Sequence, residues 1–354
     1  MSDLQLSLLV IGAVVVGAVY LYNWLQERSF HHRMQQAFGS AHDDVLLKAG
    51  VESALTDGRL EPQIVPPDEG REGRAAPAVS APGFDPAIDY VAEVDADAPI
   101  ADTQIGELAS QAASCGKPVH IAGLDATTGE WGDIARGEGG RYVSLRLALQ
   151  LVNRAGAVNS AQLAMFCDGI KSSADRISAQ AAFPDAQSAL KRARELDAFC
   201  AGVDVAIGVN VVAEGAGKFA GARIRELAQS AGFKLEPDGV FHFRDERRQT
   251  LFTLDNHEPA PFLPERIQGL TTHGVTLLLD VPRAAAGVEV LDRMVDIANS
   301  FATALGGRLV DDNRAALSEA GIARIREQVR SIHATMDAHG IPAGSSLALR
   351  LFSG

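Results

Sequence analysis

The sequence predicts an α+β protein: an N-terminal transmembrane helix, a linker, and then one or more domains in which helices cover one face of a β-sheet. Three observations predict this class. A long uncharged segment opens the chain, short stretches after residue 200 alternate apolar and polar residues, and apolar residues recur at helical spacing between them. Of the 354 residues, 47% are hydrophobic, which is enough for two ordinary domains with cores.

The opening segment runs from Leu4 to Leu25 without a charged residue, and about 20 apolar residues suffice to cross a bilayer as a helix. Tyrosine and tryptophan gather at its far end as in an interfacial belt, and it lacks the basic start of a signal peptide. Residues 1–27 are therefore predicted to form a retained transmembrane anchor. Because Arg28 and Arg33 follow it, the positive-inside tendency predicts a cytoplasmic body and an amino terminus on the other side.

Three further regions differ in composition and pattern. Residues 28–88 lose periodicity and gain proline, glycine and acidic residues, which predicts a cytoplasmic linker. Residues 89–199 are predicted to form a middle α+β domain, and residues 341–354 a C-terminal tail. The middle-domain stretch IGELASQAASCGKPVHIAGLD resembles the later stretch IRELAQSAGFKLEPDGVFHF. The middle domain is thus a possible degenerate duplicate, although any α+β segments of similar length look alike.

The last domain is predicted over residues 200–340. Four stretches, VDVAIGVNVVA, GVFHFRD, TLFTLDN and GVTLLLDV, alternate like half-buried strands. Their predicted core-facing residues are Val205, Ile207, Val209, Val211, Phe241, Phe243, Phe252, Leu254, Val275, Leu277, Leu279 and Val281. Residues at helical spacing in three further segments are Ala220, Ile224, Leu227, Ala228 and Ala231; Val288, Leu291, Val295, Ala298 and Leu305; and Ile322, Ile325, Val329, Ile332 and Met336. One sheet with helices on one face satisfies these patterns and leaves its other face towards solvent.

The composition argues against several classes of function. The 32 basic and 45 acidic residues give a net charge of −13, which argues against nucleic acid as a partner. Three widely spaced cysteines, Cys115, Cys167 and Cys200, suggest neither a disulfide framework nor a CxxC zinc site and are predicted to be buried small side chains. The glycine-rich AEGAGKF lacks the GK[ST] ending of a phosphate-binding loop. No catalytic residue, metal site or cofactor is predicted.

Two adjacent aspartates, Asp311 and Asp312, stand in the stretch VDDNRAALSEAGI and are the strongest candidates for a catalytic pair. No nucleophile elbow or HExxH motif accompanies them. We predict instead that they form the turn between a strand ending at Val310 and a helix beginning near Ser318 or Glu319, since aspartate favours local hydrogen bonds to the backbone.

The ordered stretches VAIGVNVVA, RIRELAQSAGF, TLFTLDN, TTHGVTLLLDVP and ALGGRLVDDNR resemble the ZipA family of bacterial cell-division proteins, over about residues 200–337. The middle domain and the tail lie outside the resemblance. The resemblance implies a divisome adaptor rather than an enzyme, single-pass in the cell inner membrane with a periplasmic amino terminus. It would bind the C-terminal segment of FtsZ, which in the family is flanked by acidic residues, and tether the Z ring to the membrane during septation.

The resemblance also implies where the FtsZ peptide binds, in a shallow apolar groove on the open sheet face. Carried over by position, the binding residues are Ala206, Val240, His242, Asp255, His257, Thr276 and Leu278, with Asp238 beside them. The sequence departs from the family pattern because Asp238, Asp255 and His257 are polar where the groove is apolar. Either the peptide sits differently or it binds more weakly.

Two alternative functions remain open from the sequence. His242, Asp255 and His257 are candidate zinc ligands in a membrane-bound metal-dependent enzyme, although no short fixed ligand spacing supports this. The second alternative is a scaffold or sensor that acts through the middle domain.

Overall fold

A computed structural model of the chain describes residues 84–134, 140–312 and 314–353, which belong to the unit Ala81–Gly354. The predicted anchor and nearly all of the predicted linker lie outside the described residues. Within these ranges no helix combines the length and the apolar character needed to cross a membrane.

The first region is an antiparallel sheet with helices. Of its described strands, five form one sheet in the order β3-β2-β4-β1-β7, and β5 and β6 form a separate hairpin. In chain order its elements are β1 (Asp89–Ile100), α1 (Asp102–Ala113), β2 (Val119–Asp125), β3 (Trp131–Asp133), β4 (Tyr142–Gln150), β5 (Val152–Asn153), β6 (Gly156–Ala157), α2 (Ser160–Arg176), β7 (Ala179–Ala182) and α3 (Ala186–Val203).

Side-chain caps fix the two longer helices of this region. Asn159 accepts a hydrogen bond from the backbone N–H of Gln162 at 2.9 Å, and the Gln162 side chain accepts one from the Asn159 N–H, so α2 starts with a capping box. Asp185 caps α3 in the same manner by accepting from the N–H of Ser188 at 2.7 Å. Helix α3 ends at Val203. It therefore continues past residue 200, where the last domain was predicted to begin.

The second region contains the other large sheet. Of the strands described there, six pair antiparallel in the order β10-β11-β12-β14-β8-β15. In chain order its elements are β8 (Ala206–Ala213), β9 (Phe219–Ala220), α4 (Gly221–Ser230), β10 (Lys234–Leu235), β11 (Phe241–Arg244), β12 (Thr250–Asn256), β13 (Thr271–Thr272), β14 (Gly274–Asp280), a 3-10 turn (Val281–Arg283), α5 (Gly287–Leu305), β15 (Gly307–Val310), α6 (Glu319–Ala338) and α7 (Ser346–Leu351).

The predicted α+β class and the predicted core of the last domain are confirmed. Every predicted core-facing strand residue is buried except Val205, which is partly exposed. Ala220 was wrongly predicted to lie on the apolar face of a helix: it is exposed and ends β9. The helix starts one residue later, at Gly221, where a Cβ atom would collide with the carbonyl oxygen of Ile267.

The predicted turn after the last strand is also confirmed. The strand ends at Val310 and the helix begins at Glu319. Ser318 caps that helix by accepting from the N–H of Gly321 at 3.1 Å. Asp311 stabilises the turn, because its carboxylate accepts the backbone N–H four residues further on at 2.8 Å.

The C-terminal tail lies between the two sheet domains and hydrogen-bonds to both. Arg350 pairs with the buried Asp89 of β1, with Nη1 3.0 Å from Oδ2, and its carbonyl oxygen accepts from Gln150 of β4 at 2.9 Å. On the other side, Arg283 of the 3-10 turn donates to the carbonyl oxygen of Phe352 at 2.9 Å. The Phe352 side chain is itself buried.

Candidate peptide-binding face

Leu278 is the apolar side chain nearest the middle of the open sheet face. It lies on β14 between Leu277 and Leu279, which point into the core and are fully buried. Strand alternation therefore turns Leu278 outward, where it is half-buried. Its cross-strand neighbours are Thr253 on β12 and Gly208 on β8. Gly208 has no side chain, and it is buried with the carboxylate of Asp312 lying over it.

The other predicted binding residues lie on the same sheet or directly beside its strands. Thr276 is on β14, Asp255 on β12, His242 on β11 and Ala206 on β8, and all four are partly exposed. The remaining two lie at strand ends, because Val240 precedes β11 and His257 follows β12. The fold thus gathers residues that are up to 72 positions apart in the sequence, and their role in binding stays a prediction.

A chain of hydrogen bonds crosses this face. Asn210 of β8 donates from Nδ2 to Oδ1 of Asp312 at 2.9 Å, and accepts from Oγ1 of Thr276 at 2.6 Å. Nδ1 of His257 lies 3.2 Å from the same Thr276 oxygen. Asn210 is only 2% exposed although it alternates outward. We name Asp312, Asn210, Thr276 and His257 the polar chain.

Asp312 also covers part of the sheet. Its Oδ1 lies 3.1 Å from the position that a Cβ atom would take on Gly208, so a larger residue at 208 would press on the carboxylate. Asp312 therefore does more than turn the chain: it lies over β8 as one wall of the face. One feature of the sequence indicates this arrangement: a lone asparagine, Asn210, stands inside an apolar strand.

The electrostatics of the face follow from partial burial. Burial raises the pKa of Asp255, and a hydrogen bond from the N–H of Asn256 opposes that shift. Burial also lowers the pKa of His257, and the nearby charge of Arg314 lowers it further. Both shifts favour the neutral forms.

The other end of the face is bordered by the middle domain. Arg154, in the hairpin of β5 and β6, places Nη2 2.7 Å from Asp204 and 2.8 Å from Asp280. Asp280 is the last residue of β14 and pairs with Ala206, the first residue of β8. The open face between the polar chain and this ion cluster is thus a short surface with Leu278 near its middle.

The residues considered for zinc have separate partners. His242 lies 2.9 Å from Asp238 and 3.2 Å from Thr250, whereas His257 contacts Thr276. In the parts of the chain that the structure describes, no group of three or more His, Cys, Asp or Glu side chains is arranged to hold a metal ion. The geometry offers no support for the metal-dependent alternative.

Comparison with known proteins finds a family model that matches the second region of the chain. Residues 205–328 match the family model described as the ZipA C-terminal FtsZ-binding domain. These residues form a ZipA-type domain. Three proteins, each named cell division protein ZipA, are similar to part of this chain. The protein of Marinobacter nauticus is 25% identical over 126 residues, covering 34% of this chain and 37% of the relative.

The other two relatives agree with this assignment. The Ectopseudomonas mendocina protein is 27% identical over 143 residues, covering 39% of this chain and 52% of the relative. The Shewanella woodyi protein is 30% identical over 129 residues, covering 34% and 42%. The chain thus matches about half or less of the length of these relatives.

Proposed function

We propose that this chain is a cell-division adaptor without catalytic activity. Its ZipA-type domain binds the C-terminal segment of FtsZ, and its N-terminal segment tethers the Z ring to the cell inner membrane. The observation that carries the proposal is the match of residues 205–328 to a family model described as FtsZ-binding. The open sheet face, with a half-buried leucine at its middle, supports it.

The bound peptide lies over β14 and β8 in this proposal. Leu278 is its main apolar contact, beside the wall that Asp312 forms over Gly208. Burying a leucine side chain contributes about 1.5–3 kcal/mol, and a few such anchors usually dominate an interface. With a net charge of −13, the chain does not attract an acidic partner over long range, so apolar contact must supply the affinity.

The proposal is tested by titrating the full chain, embedded in lipid nanodiscs, with FtsZ and with FtsZ that lacks its C-terminal segment. We expect saturable binding of intact FtsZ only. Equal binding of both forms would contradict the proposed site of contact, and binding of neither would contradict the function.

Asp312 offers a test of the polar chain. Asp312→Asn keeps an oxygen that accepts from Asn210, so we expect peptide binding and stability to be retained. Asp312→Ala removes that acceptor and should lower stability by about 0.5–1.5 kcal/mol, the net value of a hydrogen bond. It should also weaken peptide binding, because the wall over Gly208 is released. Peptide titration and thermal melting measure both effects, and equal binding by the two variants would show that Asp312 only stabilises the turn.

Membrane topology gives a separate prediction. A reporter fused after Gly354 should be active in the cytoplasm, and one fused before Met1 in the periplasm, because basic residues follow the predicted anchor Leu4–Leu25. Deleting Leu4–Leu25 should release the protein from the membrane fraction. The opposite orientation would separate the body from cytosolic FtsZ and would exclude the proposed function.

A further inference from the structure

The middle domain and the ZipA-type domain share one topology around their first strands. β1 lies between β4 and β7, as β8 lies between β14 and β15, and every pair is antiparallel. In each domain a helix follows the first strand (α1 or α4), a second helix joins the other two strands (α2 or α5), and a third follows them (α3 or α6). This order agrees with the internal similarity in the sequence.

The strand register makes positions on the two sheets comparable. In the middle domain the first residue of β1, Asp89, pairs with the last residue of β4, Gln150. In the ZipA-type domain the first residue of β8, Ala206, pairs with the last residue of β14, Asp280. In both sheets, the first residue of the first strand thus pairs with the last residue of its neighbour. Each further cross-strand pair, or row, can be counted inward from this end.

In the row two residues inward from these end pairs, the two sheets expose different side chains to solvent. The ZipA-type domain has Leu278, a half-buried apolar side chain, beside Gly208. The middle domain has Ala148 beside Val91, and Ala148 is 0% exposed. A peptide on the middle sheet therefore has no accessible side chain at the position of Leu278, and the partly exposed side chain of this pair is Val91.

The next row on the middle sheet, two residues further inward, is covered by an ion pair. Arg146 and Glu93 pair across β4 and β1, with Nε 2.9 Å from Oε1, where the ZipA-type domain has Thr276 and Asn210. The Arg146 guanidinium also lies 4.2 Å over the ring of Trp131. An apolar peptide would have to displace this ion pair or cover it at the cost of desolvation.

We propose that the middle domain is a partial repeat of the ZipA-type fold, with the same arrangement around its first strand but a different order of its outer strands. Its sheet face is closed, so that each chain binds one FtsZ C-terminal segment and not two. This inference rests on the proposed function. A single site gives one chain no avidity for neighbouring FtsZ subunits, so bridging of a filament requires several membrane-bound copies. The middle domain instead borders the sheet of the ZipA-type domain, where Arg154 contacts Asp280.

The experiment is calorimetric titration of the full chain in nanodiscs with a peptide of the FtsZ C-terminal segment. We expect one peptide per chain. Val91→Asp places a charge on the middle sheet in the row that corresponds to Leu278, and it should change the affinity by less than twofold. Glu93→Ala, at an exposed position, is a second variant that leaves the core untouched and should also have no effect. Leu278→Asp should weaken the affinity at least tenfold.

Two peptides per chain would overturn the inference. So would weaker binding in a folded Val91→Asp or Glu93→Ala variant, because the middle face would then take part. No binding by the parent chain would contradict the proposed function, and this inference with it. One site that is lost in Leu278→Asp and kept in both middle-domain variants would support the closed face.

Discussion

Leu278→Asp is expected to weaken binding of the FtsZ peptide at least tenfold, about 1.4 kcal/mol, while the domain stays folded. The side chain is half-buried on the open face, so the substitution leaves the core unchanged but puts a charge where an apolar contact is required. Leu277→Asp is the matched contrast on the same strand. Leu277 is 0% exposed, and an unpaired carboxylate there should unfold the domain.

Melting followed by circular dichroism and peptide titration separate these two outcomes. Met165→Asp controls for added negative charge, because Met165 is 49% exposed on α2 of the middle domain. It should leave both stability and affinity unchanged. If Leu278→Asp binds as tightly as the parent, the open face is not the peptide site. If Leu277→Asp stays folded, the assignment of the two strand faces is wrong.

The strands and the turn of the ZipA-type domain were predictable because their signals are local. Alternation with period two placed Val209, Leu254 and Leu277 in the core, and all three are fully buried. The start of α6 at Glu319 was equally local, since a serine cap directly precedes it. Such features depend on neighbours within a few residues, and the sequence contains them directly.

Contacts between residues far apart in the chain could not be predicted from local sequence patterns. Asn210 alternates outward along β8, but it is buried and hydrogen-bonded to Asp312, 102 positions later. The tail gave no periodic pattern, and its partner Asp89 is 261 positions away. Asp89 itself looked like an ordinary start to a strand. Pairings of this kind depend on how whole domains come together, which periodicity does not report.

Arg350 is the single charged side chain of residues 341–354, and Arg350→Ala is expected to destabilise the protein strongly. Arg350 makes two hydrogen bonds to the carboxylate of Asp89, whose side chain is 0% exposed, while that of Arg350 is 19% exposed. Removing the arginine leaves Asp89 buried without this partner. Breaking a buried pair in this way costs about 3–5 kcal/mol, which lowers Tm by roughly 6–20 °C at about 2–4 °C per kcal/mol.

The matched control is Arg330→Ala on α6. Arg330 pairs with Glu327 at 2.9 Å, but the two side chains are 57% and 74% exposed, so the loss should be about 0.5 kcal/mol or less. Thermal melting of both variants compares a buried with an exposed ion pair. A change in Tm for Arg350→Ala no larger than that of the control would show that the tail only rests on the middle domain. A larger fall in Tm for Arg350→Ala than for the control would instead support a structural role of the tail in joining the two domains. The tail contacts the middle domain through Arg350 and the ZipA-type domain through Arg283.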